Sequence, residues 1–151
     1  MPVVAESMAK QRAYLSAPMC PSAQPELDGA GVFGIVRGTA THPQVAYLDH
    51  SVPLTPKIIA TTAPVHPTEV FRIGAPCAGN CCKHFDEGRC KLAVRLVQLL
   101  PAVASNAPRC ALRPKCMWWR QEGVSACLRC PQIVTRMHGA TVTLVEVARP
   151  E

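Results

Sequence analysis

A chain of 151 residues has room for one domain with a buried core of its own. Fifteen prolines and seven aromatic residues argue against long uninterrupted helices and for many irregular connections, which gain from cross-links. The longest apolar run, from Leu92 to Ala104, contains Arg95 and Pro101 and is too short to span a bilayer, so a membrane protein is excluded as an expectation.

In chain order, the stretch from Met1 to Arg12 lacks the apolar segment of a secretory signal, and the expected location is the cytoplasm. Met8 to Leu15 has the make-up of a short helix, after which Pro18, Pro21 and Pro25 break the chain. Cys20 lies among these prolines, far in sequence from the other cysteines. It reads as an idle or buried thiol, with a replacement metal ligand or redox thiol as the alternative. Gly31 to Gly38 is short, β-branched and bounded by glycine, which predicts a strand, and Gln44 to Leu48 predicts a second strand paired with it. Thr55-Pro56 supplies an N-cap and a first-turn proline for a helix through about Thr62. Glu69 to Ile73 reads as a short extended run leading into the cysteines.

Cys90 to Leu100 is the strongest helix signal and is apolar nearly all round, so burial on most faces is expected. Arg113-Pro114 predicts a further helix through about Glu122, with Gly123 ending it and Cys116, Trp119 and Arg120 on one face. Ile133 to Thr135 and Thr141 to Val147 read as strands, the second alternating with period two. The expected fold class is α+β in a small single domain, residues 1–151. Residues 1–75 form a scaffold of short strands and a helix. It packs against a metal-stapled helical and loop segment, residues 76–135, and residues 136–151 close the fold with a strand and tail.

Eight of the nine cysteines fall in two groups: Cys77, Cys81, Cys82 and Cys90, then Cys110, Cys116, Cys127 and Cys130. In a reducing compartment such density favours metal over disulfides. Soft thiolates select zinc, copper(I) or iron–sulfur, and each tetrahedral ion or cluster wants four. Cys127 and Cys130 are spaced to approach one centre from a tight turn, and Pro131 follows as prolines do in bacterial ferredoxins. Adjacent Cys81 and Cys82 do not reach one zinc easily, which favours iron–sulfur over zinc. Gly79 and Gly88 allow the tight backbone of a cluster loop. His84 reads as a surface or supporting histidine, with ligation as the alternative.

The pattern Cys116-x10-Cys127-x2-Cys130-Pro131, with Met117-Trp118-Trp119 after the first cysteine, resembles the C-terminal motif of the siderophore-iron reductase family. That motif holds a [2Fe–2S] cluster through Cys-Cys-x10-Cys-x2-Cys. Position 115 is Lys here, so Cys110 would replace the first of the paired cysteines. The resemblance implies iron–sulfur ligation by Cys116, Cys127 and Cys130, and with it electron transfer.

Between Arg72 and His138 there are eleven Lys/Arg against three Asp/Glu, a balance of +8, whereas the rest of the chain carries five against seven. Part of this excess offsets the charge of thiolate centres, and it would also suit an acidic redox partner protein. The leading expectation is an iron–sulfur protein with one or two clusters, [4Fe–4S] or [2Fe–2S], in electron transfer or redox sensing. Two alternatives stay open: a zinc- or cluster-stabilised basic module binding nucleic acid, and an enzyme using an open-site cluster. Catalytic residues are not identified. No Ser/His/Asp arrangement, paired carboxylates or phosphate loop stands out in the sequence.

Overall fold

The computed structural model describes residues 18–39, 41–133 and 146–148. Four strands, Met19–Cys20 (β1), Gly31–Gly38 (β2), Pro43–Pro53 (β3) and Phe71–Pro76 (β4), pair antiparallel in the order β1–β4–β2–β3. The expected pairing of β2 with its successor is present, and β3 extends beyond Leu48 to Pro53. The register of β2 shifts between Val32 and Gly34 against both neighbours. A bulge at this point re-aims one side chain: Phe33 is fully buried, with its ring 6.3 Å from that of Tyr47.

Thr55 caps the helix Pro56–Ala60 (α1), its hydroxyl accepting from the Ile58 N–H at 3.3 Å. The helix stops before Thr62 because the Thr61 and Thr62 hydroxyls bond back to the Ile58 and Ile59 carbonyls. The extended run expected from Glu69 begins later, at Phe71. Pro67–Val70 (α2) is one helical turn instead, closed by a capping box between His66 and Glu69 with proline at its first position.

Phe85–Asp86 (β5) and Arg89–Cys90 (β6) form a hairpin. Glu87 and Gly88 join them with φ of 51° and 76°, the doubly left-handed turn that matches strand twist. Lys91–Leu99 (α3) follows, with Cys90 as its N-cap and Leu100 as its C-cap. Leu92, Ala93, Leu96 and Leu100 are buried, but Leu99 is 42% exposed, so the helix buries one face rather than all round.

The single helix expected from Arg113 is divided. Arg113–Lys115 is a 3₁₀ turn, Cys116 is extended with φ −66° and ψ 124°, and Met117–Glu122 (α4) starts anew. Cys116 leaves the helical conformation to cap α4 and to form a parallel bridge with Met19. Gly123 then turns with φ 68° and ψ −150° into Val124–Cys127 (α5), and Cys130–Gln132 forms another 3₁₀ turn. Ile133 is buried directly after that turn and is not in a strand. Residues 146–148 are helical, which corrects the strand expected to run through Val147, and the Val147 carbonyl accepts from Arg95 Nε at 2.8 Å. The expected helix from Met8 to Leu15 and the remainder of the closing strand lie outside the described residues.

The architecture is α+β. The main core lies between the sheet and the cysteine-rich helices, around Phe33, Leu96, Leu112 and Trp118. Gly74 of β4 lets that layer approach closely, since a Cβ there would meet both methyl carbons of Leu112 at 3.0 Å. Among the described residues no helix is long and apolar enough to cross a membrane.

Candidate metal centre

Cys110 lies in the loop before Leu112, Cys116 at the N-cap of α4, Cys127 at the end of α5 and Cys130 at the start of the following 3₁₀ turn, and all four line one cavity of about 20 Å³. Phe33, Tyr47, Leu112 and Trp118 complete its wall. Backbone donors face these sulfurs. The N–H groups of Leu112 and Arg113 favour the Cys110 thiolate, and those of Trp119 and Trp118 favour the Cys116 thiolate at the start of α4. Burial acts in the opposite sense. It pushes Cys116 up to about 12, with the nearby Cys130 and Cys110 adding like-charge repulsion, and it raises Cys110 as well. A thiol cluster of this kind stays protonated by itself and becomes thiolate when a cation supplies the missing charge.

Arg72 is the largest polar group in this core, 1% exposed. Its guanidinium donates to the Cys130 carbonyl at 2.5 Å and to the Pro21 carbonyl at 2.9 Å, and lies 5.4 Å from the Phe33 ring centre. Nε has no hydrogen-bond partner among the described residues. Burial opposes its charge, yet its pKa is raised, because Cys130, then Tyr47 and Cys116, act on it as anions and the Cys130 sulfur also accepts from it. Tyr47 lies against the same sulfur. Burial pushes its phenol far above the ordinary value, and Cys130 adds to the effect by charge and as a hydrogen-bond acceptor. A buried guanidinium requires compensating negative charge. Here the Pro21 and Cys130 carbonyls solvate the cation, and the Cys130 and Cys116 sulfurs would balance its charge once they are thiolates.

Arg113 provides a second cation at this site. It stacks 5.5 Å from the Trp119 ring centre, donates to the Pro108 carbonyl and favours the Cys110 thiolate. Arg129 ties the site to α3, donating to the Leu100 carbonyl at 2.7 Å and the Ser125 carbonyl at 2.8 Å.

The first cysteine group is arranged differently from its sequence order. Cys77 follows β4 and its N–H donates to the Pro18 carbonyl at 2.8 Å, beside the pairing of Cys20 with Ala75. Cys20 therefore joins this group. Burial pushes its thiol up to about 12, the Ser22 N–H opposes this, and Cys90, Cys77 and Cys82 add repulsion. The Gly79 N–H lies 3.5 Å from the Cys77 sulfur. Cys90 caps α3 and is raised by burial, whereas the N–H groups of Ala93 and Leu92 and the indole of Trp118 favour its thiolate. Cys81 is exposed. The adjacent pair Cys81–Cys82 is thus split between solvent and interior, and its adjacency no longer argues against zinc.

His84 has its Nδ1 2.9 Å from Arg95 Nη2, and burial, Arg95 and Lys83 lower its pKa, which leaves the ring neutral with Nδ1 accepting. Among the described residues no three His, Cys, Asp or Glu side chains are already arranged to hold a metal ion. Cys110, Cys116, Cys127 and Cys130 line common space without closing on a point. Sequence reading missed Arg72, Tyr47 and Gln121. Gln121 bonds both the N–H and the carbonyl of Cys90, at 2.8 and 2.9 Å. A charged residue among the apolar positions of Phe71 to Ala75 was the available signal for Arg72.

Comparison of the chain with protein-family models, curated proteins and solved structures finds no match.

Proposed function

We propose that this chain is an iron–sulfur protein whose Cys110, Cys116, Cys127 and Cys130 hold a cluster, and that it acts in electron transfer. One observation supports this above the others: four thiols from separate segments line one cavity, beside a fully buried guanidinium whose charge Cys130 and Cys116 would balance as thiolates. Four thiolates around a core of charge about +2 leave about −2, the sign that Arg72 and Arg113 would stabilise. When bound, a cluster supplies one-electron chemistry. The chain's own residues hold the thiolates in place, exclude water with Phe33 and Trp118, and direct N–H donors at the sulfurs. Those donors and cations favour the more negative state and so raise the reduction potential. The excess of basic residues in the same segment suits an acidic protein partner.

Zinc is the second reading, favoured by the size of the cavity. About 20 Å³ accommodates a single small body, whereas a cluster requires the thiols to rotate outward. Anaerobic purification followed by iron, acid-labile sulfide and zinc analysis separates the two. The expected result is iron and sulfide in similar amounts, with an EPR signal on reduction. Stoichiometric zinc without sulfide would overturn the iron–sulfur reading.

A further inference from the structure

The backbone brings Cys20 to the first cysteine group and turns Cys81 away from it. β1 pairs Cys20 with Ala75, two positions before Cys77, and the Cys77 N–H closes onto Pro18. Cys20, Cys77, Cys82 and Cys90 are all partly or fully buried, and Cys81 is exposed. Three of the four sulfurs have backbone N–H donors: Ser22 for Cys20, Gly79 for Cys77, and Leu92 with Ala93 for Cys90. Such donors stabilise thiolate, the form that binds metal. The Trp118 indole N–H is buried without a closed hydrogen bond, lies against Cys90 and favours its thiolate as well.

We infer that Cys20, Cys77, Cys82 and Cys90 form a second four-thiolate metal site, with Cys81 left as a free surface thiol. The nine cysteines then divide into four, four and one. The two sites are neighbours, because Met19 beside Cys20 bridges to Cys116 of the other set, and Trp118 lines the other cavity while its indole N–H meets Cys90. The site binds the same class of soft ion or cluster as its neighbour. The inference extends the functional reading above but depends only on metal binding, not on which metal is bound.

The test is total bound metal per chain in the wild type and in the Cys20→Ser and Cys81→Ser variants, by elemental analysis after anaerobic purification. Cys20→Ser is expected to lose about half of the wild-type metal, and Cys81→Ser to keep all of it. The reverse pattern overturns the assignment. Zinc in place of iron would overturn the iron–sulfur reading and leave this comparison intact, whereas a wild type without metal overturns both. Alkylation of the native wild type, mapped by mass spectrometry, needs no variant to fold. Iodoacetamide is expected to label Cys81 at once, and Cys20 faster after chelation than before it. Immediate labelling of Cys20 in the loaded protein, or the same Cys20 rate with and without metal, counts against the site.

Discussion

Arg72 shows how much one side chain can report about an interior. A guanidinium keeps its charge even when buried, so its surroundings must provide the compensation. Arg72, within β4, joins the carbonyls of Pro21 and Cys130 and thereby ties the chain after β1 to the last cysteine turn. Arg72→Met keeps the length and removes the charge. It strands both carbonyls and is expected to destabilise the metal-loaded protein by about 2–4 kcal/mol, read as a lower denaturant midpoint. Arg72→Lys should recover part of the loss, because it restores charge without the fork. A midpoint unchanged in Arg72→Met would show that the guanidinium is not holding these segments. The residue types for a thiolate centre were plain in the sequence, since cysteine spacing survives any fold. The role of Cys20 was not, because it depends on a long-range strand pairing that local pattern does not encode.

Short elements separated by special backbone positions carry the thiols. Cys90 and Cys116 both occupy N-cap positions, so the helix signal that starts at Cys90 is met by α3, whereas the signal that starts at Arg113 is interrupted at Cys116. The caps and prolines at Thr55, Pro56 and Gly123 were readable because they act within a few residues. The break at Cys116 was not readable, because Arg113-Pro114 is an equally good start for an α-helix or a 3₁₀ turn. Gly123 joins α4 to α5 at φ 68° and ψ −150°, a conformation nearly restricted to glycine. A Cβ there would meet nothing within 4 Å, so any cost is backbone strain and not collision. Gly123→Ala is expected to cost about 1–3 kcal/mol in chemical denaturation and to speed metal loss to a chelator, since Cys116 and Cys127 flank the turn. A variant as stable as the wild type would place the strain elsewhere.

For the whole molecule, the thiols couple stability to metal and to pH. In the metal-free protein the folded-state pKa values of Cys20 and Cys116 are raised from 9.0 to about 12. Folding therefore favours the protonated thiols. Their contribution is complete below pH 9 and is lost as pH rises from about 9 toward 12, where the unfolded chain has already released its protons. Metal-free protein is expected to show a falling thermal midpoint through this window, and metal-loaded protein a flatter profile, because bound thiolates have no proton to lose. Coincident profiles with and without metal would exclude ligation by these two cysteines. The α+β class, the pairing of β2 with β3 and the helices after Thr55 and Cys90 followed from local patterning, which propagates over a few residues. The packing of two thiol sets side by side follows from the bridge between Met19 and Cys116, a contact across almost a hundred positions.

β1 is only two residues long, too few for its hydrogen bonds alone to hold the beginning of the described chain against the sheet. A centre that includes Cys20 would close a loop of 57 positions between Cys20 and Cys77. By the chain-entropy relation used for covalent cross-links, such a closure removes freedom from the unfolded state worth about 4 kcal/mol. The shortest strand of the sheet would then owe its place to the constraint on the unfolded chain more than to its own pairing.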